Sequence, residues 1–447
     1  QVEKQKVDFI RLGVFGDWEK PYLTMDFKTE ANTIRALGNM ITAGHMIRGF
    51  KPVYWCTDCQ SALAEAEVEY ENKFSLQVDV RFRMADENAV NSLFNTEEDI
   101  PTSIVIWTTT PWTLPANQAV AIHPDFDYAL VDNGAERLIL AASLHEMAME
   151  RYGYKDYSII GKVKGEALQG LQLKHPFYER TVPIVKAIHV TAEAGTGAVH
   201  IAPGHGQDDY LVGLEFNLEV DCPVNGRGVF HANAELVGGV HIIEANNILI
   251  EAMRENGSLV RVDKLDHSYP HCWRHKIPII FRATPQWFFS MDSSGLRQKA
   301  LAEIDNVSFT PEWGKQRIFK MVADRNDWCI SRQRSWGVPI TVFIHKETGE
   351  LHPRTEELIQ NIALQVEEHG IEAWFDFEYN ELLKKDSENY EKVIDMLDVW
   401  FDSGVTHMTV LDVDERLGFP ADLYVEGSDQ HRGWFQSSLL TSVGIKD

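Results

Sequence analysis

Cys56-x-x-Cys59 and Cys272-x-x-His275 set four soft donors in two knuckle-like pairs, far apart in the chain. Two such pairs suffice for a closed tetrahedral Zn²⁺ site, and an inserted domain between them is tolerated if it loops out. The same residues also read as buried thiols, with His275 on the surface beside Lys276. His267 and His271 compete for the fourth position. These pairs bring no water-activating glutamate in H-E-x-x-H order, which speaks against a catalytic zinc.

A second chemistry is written in Thr108-Thr109-Thr110-Pro111-Trp112-Thr113-Leu114-Pro115-Ala116-Asn117. Consecutive hydroxyls after a strand, stiffened by two prolines, make a rim of donors and acceptors able to hold a polar substrate and a water. Alone, such a stretch is more often a plain turn. The run from Gly195 to Tyr210 brings four glycines, His200, His205, Asp208 and Asp209 together. Small residues let a ligand approach the backbone. A carboxylate there would take an ammonium, and a histidine would shape a pocket or orient water. The plain alternative is a solvated loop with Asp209 capping the next helix.

Asp398-Val399-Trp400-Phe401-Asp402-Ser403-Gly404 and Glu426-Gly427-Ser428-Asp429-Gln430-His431-Arg432-Gly433-Trp434 set exposed-looking carboxylates beside indoles. That suits an amino acid's ammonium, although core tryptophan with surface charge is the commoner meaning of either segment alone. Lys315 to Arg334 carries six basic residues, a phosphate-binding stretch or a solvated face.

The elements that must position these groups follow from patterning. Apolar residues at helical spacing predict a helix over 30–49, stopped by Gly49. Alternation predicts a strand at 76–84, and further short strands are expected at 103–107, 129–131, 138–141 and 258–262, with helices at 144–152 and 243–255. A strand at 422–425, a turn and a helix from 433 would form the ligand-facing end of a nucleotide-binding sheet. With 447 residues, about three domains are expected. The expected division is 1–71, a β-rich 72–265, a return at 266–345, a peripheral α/β insertion at 346–395, and 396–447. A net charge of −25 excludes a non-specific binder of polyanions. Five cysteines, sparse and odd in number, point to reduced thiols and a cytoplasmic setting. No apolar run is long enough for a membrane span.

In their order, these stretches resemble the class I aminoacyl-tRNA synthetases of the isoleucine, valine and leucine group, and within it the bacterial isoleucine type. The resemblance runs from Arg11-Leu12-Gly13-Val14 to the C-terminus. Thr110, where valine and leucine relatives typically carry Arg, and His200, where valine enzymes usually carry Lys, favour the isoleucine type. The implied fold is α/β: a split Rossmann-type core interrupted by a β-rich inserted editing domain on a zinc-knuckle stem (Cys56, Cys59, Cys272, His275). The implied activity is activation of isoleucine with ATP and Mg²⁺, charging of tRNA(Ile), and hydrolysis of mischarged Val-tRNA(Ile), by a monomer. In the editing pocket Thr108, Thr109, Thr110 and Asn117 would hold the terminal ribose and the ester. His200 would keep isoleucine out, and Asp209 would bind the ammonium. In the synthetic site Trp400 and Trp434 would flank the isoleucine side chain, while Glu426, Gly427, Asp429 and Gln430 would meet the adenylate. The basic stretch 315–334 would face the tRNA acceptor end. The H-I-G-H and K-M-S-K-S signatures and the anticodon-binding domain do not occur in this sequence, so it reads as an internal piece that edits but does not activate. Rival readings are a valine- or leucine-type fragment, a zinc hydrolase unrelated to tRNA, and a non-catalytic tRNA-binding zinc module.

Overall fold

The computed structural model describes residues 1–97, 100–376 and 380–446, apart from the side chain of residue 381. Contacts divide the chain into two compact units, Gly49–Gln286 and Gln1–Arg48 with Trp287–Asp447. The chain is mixed α/β, and among the described residues no helix is long and apolar enough to cross a membrane.

The unit Gly49–Gln286 is strand-rich. Strand β1 (Met46–Cys56) enters it, and β2 (Ser61–Leu63) folds back antiparallel on β1. Then come β3 (Val68–Met84), β4 (Thr102–Thr108), β5 (Ala119–Ile122), β6 (Asp127–Asp132), β7 (Arg137–Ala141) and β8 (Ser158–Lys164). They are followed by β9 (Gln172–Lys174), β10 (Thr181–Lys186), β11 (Ala198–Ile201) and β12 (Leu259–Cys272). These last ten strands form one sheet in the order β11-β5-β10-β9-β3-β4-β7-β6-β8, with β12 also paired to β3. Alternation along β3 drives one face inward: Val78, Val80 and Phe82 are fully buried and stand opposite Thr108, Ile106 and Ile104 of β4. The other face is covered too, by the helix His145–Tyr152, whose Ala148 and Met149 pack on Val105, Val131 and Leu138. A sheet covered on both faces explains why its strands carry near-continuous apolar runs. The expected strands at 76–84 and 258–262 run longer, as β3 and β12, which pair from Val80–Leu259 to Val68–Cys272.

In the second unit the helix Phe27–Thr42 packs on Thr355–His369 so closely that a Cβ at Gly38 would meet Ile359 at 2.9 Å. The helix expected over 30–49 spans Phe27–Thr42 and stops before Gly44, not at Gly49. Gly44 takes φ +77°, a left-handed turn that a Cβ disfavours, and β1 begins at Met46. Residues 346–395, expected at the periphery, supply Leu358, Ile359, Ile362 and Val366 to the same core. Residues 422–425 do not form the expected strand: they pair with no strand among the described residues, and Leu423 and Val425 are three-quarters exposed.

Candidate functional site

The Thr-rich motif folds as the end of β4 followed by a 3-10 helix, Pro111–Ala116. Pro111 stands where a helix needs no N–H, and Asn117 leaves it in extended conformation to start β5. Strand β11 pairs antiparallel with β5, placing His200 opposite Val120. The turn before β11 requires glycine: Gly197 has φ +78°, and a Cβ there would lie 2.3 Å from Cβ of Ala141. Two motifs distant in sequence are thereby joined through side chains. Thr108 Oγ1 lies 3.3 Å from Thr110 Oγ1, and Thr110 Oγ1 lies 3.4 Å from Thr113 Oγ1. Thr113 Oγ1 in turn lies 3.0 Å from His200 Nε2. The Thr110 N–H donates to Thr108 Oγ1 at 3.2 Å. The Thr109 hydroxyl makes no hydrogen bond among the described residues.

Asp209 sits in the first turn of the helix Gln207–Glu215. Its carboxylate turns back and accepts the Ala202 N–H at 2.9 Å, two residues beyond His200. Gly206 makes room, since a Cβ there would stand 2.9 Å from the Asp209 carboxyl carbon. The residue as a whole is partly exposed, but the carboxylate is enclosed. Burial, with Asp208 adding to it against the Ala202 bond, pushes its pKa up to about 7. A buried carboxylate without a cation invites an ammonium. Asp208 is exposed.

Asn117 is fully buried and donates from Nδ2 to Ala119 O at 2.8 Å. His205 lies edge-on to Trp112, ring centres 4.9 Å apart, with Nδ1 3.0 Å from Phe281 O. Three buried polar atoms stand without a hydrogen-bond partner among the described residues: Asn117 Oδ1, His200 Nδ1 and His205 Nε2. Such atoms carry a desolvation cost, which a bound polar group would relieve.

Sequence reasoning missed the supports beneath this motif. Thr113, three residues after Thr110 in the 3-10 turn, could have been found from that spacing. Arg180 donates to Pro115 O at 3.0 Å and to Asn117 O at 2.7 Å. Asn246 accepts the Trp112 N–H at 2.9 Å, and His175 Nε2 lies 3.0 Å from Leu114 O. These come from distant elements and carry no local signal.

Burial lowers the pKa of His175 to about 3, with Arg180 adding to it, and those of His200 and His205 to about 4. Unfolded histidines bind protons near pH 6.5, so the unfolded chain takes up protons first as pH falls. The stability tied to the neutral rings is present above about pH 6.5 and is lost as pH drops toward 4. We therefore expect the urea midpoint of the chain to fall steeply between pH 6.5 and 4. An unchanged midpoint between pH 7 and 4.5 would contradict the burial of three neutral imidazoles.

Cys56, Cys59, Cys272 and His275 bring their ligand atoms within 4.8 Å of one another. Cys59 Sγ lies 3.9 Å from Cys272 Sγ and 3.1 Å from His275 Nδ1, and Cys56 Sγ lies 3.6 Å from the same nitrogen. A tetrahedron with Zn–S bonds of ~2.3 Å has S···S edges of about 3.8 Å, so the residues fit such an ion. His267 and His271 are engaged elsewhere, with Ser75 Oγ and Tyr269 O. Burial and the neighbouring thiols push the Cys59 thiol up to about 12.

In the other unit, Trp400, Gln430 and Trp434 come together. A Cβ at Gly433 would meet both the Trp400 ring and Gln430 Oε1 at 2.7 Å. Gln430 Oε1 accepts the Trp434 N–H at 3.0 Å, and Trp434 Nε1 donates to Ser403 O at 3.0 Å. Tyr424, which sequence reasoning overlooked, stacks on Trp434 with ring centres 4.4 Å apart. Glu426 and Gly427 lie on an exposed loop that leads into the short 3-10 helix Ser428–His431, where exposed Asp429 accepts from Gln430 Nε2 at Oδ2, 3.1 Å away. Two readings are corrected. Asp398 is wholly buried, and burial, with Asp398 close by, raises the Asp402 carboxyl well above its ordinary range. Neither is the exposed carboxylate expected. Arg332 is also buried, ion-paired to Asp398 at 3.0 Å, and Arg325 bonds to Gln436, so both serve the interior.

Residues 1–447 match the family model described as tRNA synthetases class I (I, L, M and V). Among curated relatives, an isoleucine--tRNA ligase of Thioalkalivibrio sulfidiphilus is 60% identical over all of this chain and 48% of its own length. One of Methylococcus capsulatus is 57% identical, with the same coverage. The chain spans about half the length of the curated relatives it matches. Among solved structures, the editing domain of P. knowlesi cytosolic leucyl-tRNA synthetase is 13% identical with a TM-score of 0.35, covering 45% of this chain and 98% of that one.

Proposed function

The chain belongs to the class I tRNA synthetases of the I, L, M and V group, and from that premise we propose that it is the part of an isoleucine--tRNA ligase that carries the hydrolytic editing site for Val-tRNA(Ile). The observation that carries this reading is the meeting of the Thr108–Thr110–Thr113 hydroxyls with His200, two residues from the backbone N–H that holds Asp209. Thr108, Thr109, Thr110 and Asn117 take the terminal ribose and the ester. Asp209 takes the ammonium, and His200 forms the wall that isoleucine cannot pass. In the whole ligase, isoleucine is activated with ATP and Mg²⁺ and transferred to tRNA(Ile). Trp400, Gln430 and Trp434 line the amino-acid site there, with Glu426, Gly427 and Asp429 toward the adenylate.

Two sites are needed because valine is one methylene smaller than isoleucine. A hydrophobic pocket separates such pairs by only ~10–200-fold, a range for which isoleucine against valine is itself the standard measured case. A second pocket that admits only the smaller ester removes the residue of errors. Water attacks the ester carbonyl and the ribose oxygen leaves with a proton. The motif supplies no Ser or Cys nucleophile beside a base, so catalysis rests on positioning.

The test is deacylation of Val-tRNA(Ile) beside Ile-tRNA(Ile) by this chain. Valine-selective release supports the reading, and no release from folded protein sinks it.

The Cys/His cluster is proposed to hold one structural Zn²⁺, whose chemistry is to cross-link β1 with the end of β12. We expect one zinc per chain by elemental analysis. Chelation, or Cys272→Ser, should lower the melting temperature by about 10 °C before hydrolysis per folded molecule changes. Loss of turnover at unchanged stability would instead favour a catalytic metal.

A further inference from the structure

The His200 ring makes one hydrogen bond among the described residues, to Thr113 Oγ1 at 3.0 Å. Thr113 is buried and lies opposite it across the turn from β4 to β5. A hydroxyl has a single proton. Thr113 gives that proton to Thr110 O at 2.8 Å, a partner that can only accept. Its contact with His200 is then satisfied only if the imidazole donates from Nε2. The neutral ring is thus fixed as the Nε2–H tautomer, which leaves Nδ1 an acceptor. That atom is buried and has no hydrogen-bond partner among the described residues.

We propose that Thr113 is a specificity-determining positioning residue, holding the His200 ring in one orientation and one tautomer and so setting which side chain the editing pocket admits. The proposal rests on the editing reading above. A wall that discriminates one methylene has to stay still. The terminal torsion of histidine is broad and roughly two-fold, so packing alone leaves the ring two settings. The Thr113 bond selects one of them. The same hydroxyl lies 3.4 Å from Thr110 Oγ1, so the wall and the ester-binding rim share an anchor.

The experiment combines ¹⁵N NMR of the histidine side chains in the full chain with deacylation of Val-tRNA(Ile) and Ile-tRNA(Ile). In the parent, His200, identified by loss of its signal in a His200→Ala chain, should show a protonated Nε2 and an unprotonated Nδ1. Thr113→Val keeps the shape and removes the hydroxyl. It should mix the tautomers and raise the ratio of isoleucine to valine release about tenfold, the scale of one buried hydrogen bond. Thr113→Ser should restore both the signal and the ratio. If Thr113→Val does not fold, Thr113→Cys, with its weak sulfur acceptor, must raise the ratio instead. A parent His200 protonated at Nδ1 overturns the proposal. So does a Thr113→Val or Thr113→Cys chain with altered tautomers and an unchanged ratio. Absence of valine release from the parent sinks the editing reading, while the NMR signal still decides the tautomer.

Discussion

Replacing Asp209 with alanine should slow valine release from Val-tRNA(Ile) by about two to three orders of magnitude, the cost of removing one partner from a buried charged pair. The pH dependence identifies the mechanism. With its pKa raised to about 7, Asp209 is largely a neutral acid at pH 6 and cannot hold an ammonium. Release should therefore climb with unit slope up to about pH 7. It should fall again above about pH 8 as the substrate's α-amino group loses its proton. Asp209→Asn should be slow at every pH and lack the acid limb. A parent profile that is flat from pH 5 to 7 would remove Asp209 from the ammonium site.

The same carboxylate makes a second, opposite prediction for stability. Its folded pKa is raised above the unfolded value, so its contribution is fully present below about pH 4 and is lost as pH rises through 7. Ionised and without a cation, Asp209 burdens the fold by a few kcal/mol at pH 8. Asp209→Ala should accordingly be more stable than the parent at pH 8.5, and the advantage should vanish at pH 5. A residue that costs stability while its loss costs activity is placed for a ligand. Denaturant midpoints of parent and variant at the two pH values decide it.

The parts of this site legible in the sequence were those whose meaning is local. Three hydroxyls before a Pro-bounded turn, a histidine within a glycine run, and two x-x-spaced donor pairs keep their chemistry wherever the fold puts them. What stayed illegible depends on register and burial. The bond between Thr113 and His200 exists because β11 pairs with β5 as Ile201 opposite Ala119. A slip of one residue would turn His200 to the other face. Arg180 and His175, from the β9–β10 connection, and Asn246, from the helix Ile242–Glu255, bind the motif's backbone from far along the chain. The strands β4, β6 and β7 were placed closely because both of their faces are buried and their apolar runs are nearly continuous. Patterning failed at 422–425, where apolar spacing exists without a partner strand among the described residues. Charge was misread wherever it turned inward, as at Asp398 and Arg332.

That inward pair carries the largest expected effect on stability. Asp398 accepts the Trp328 Nε1–H at 2.8 Å and the Trp400 N–H at 3.2 Å, and it pairs with Arg332 at 3.0 Å. Arg332 also donates to Cys329 O and Ser331 O, at 2.8 and 2.9 Å. Arg332→Ala should lower the unfolding free energy by about 3–5 kcal/mol, because it leaves a carboxylate buried beside no cation. Arg332→Lys should recover little, since one ammonium cannot reproduce a planar fork that serves three acceptors. The cycle with Asp398→Leu and Arg332→Met separates the cost of an orphaned charge from the worth of the pair. The double variant should be less damaged than the sum of the singles. Asp398 also caps the helix Val399–Gly404 that carries Trp400. Loss of the pair should therefore loosen Trp400 against Gly433 and disturb the tryptophan environment before global unfolding. Full additivity in the cycle, or a single variant within about 0.5 kcal/mol of the parent, would show that water reaches the pair and that the indole is held by packing alone.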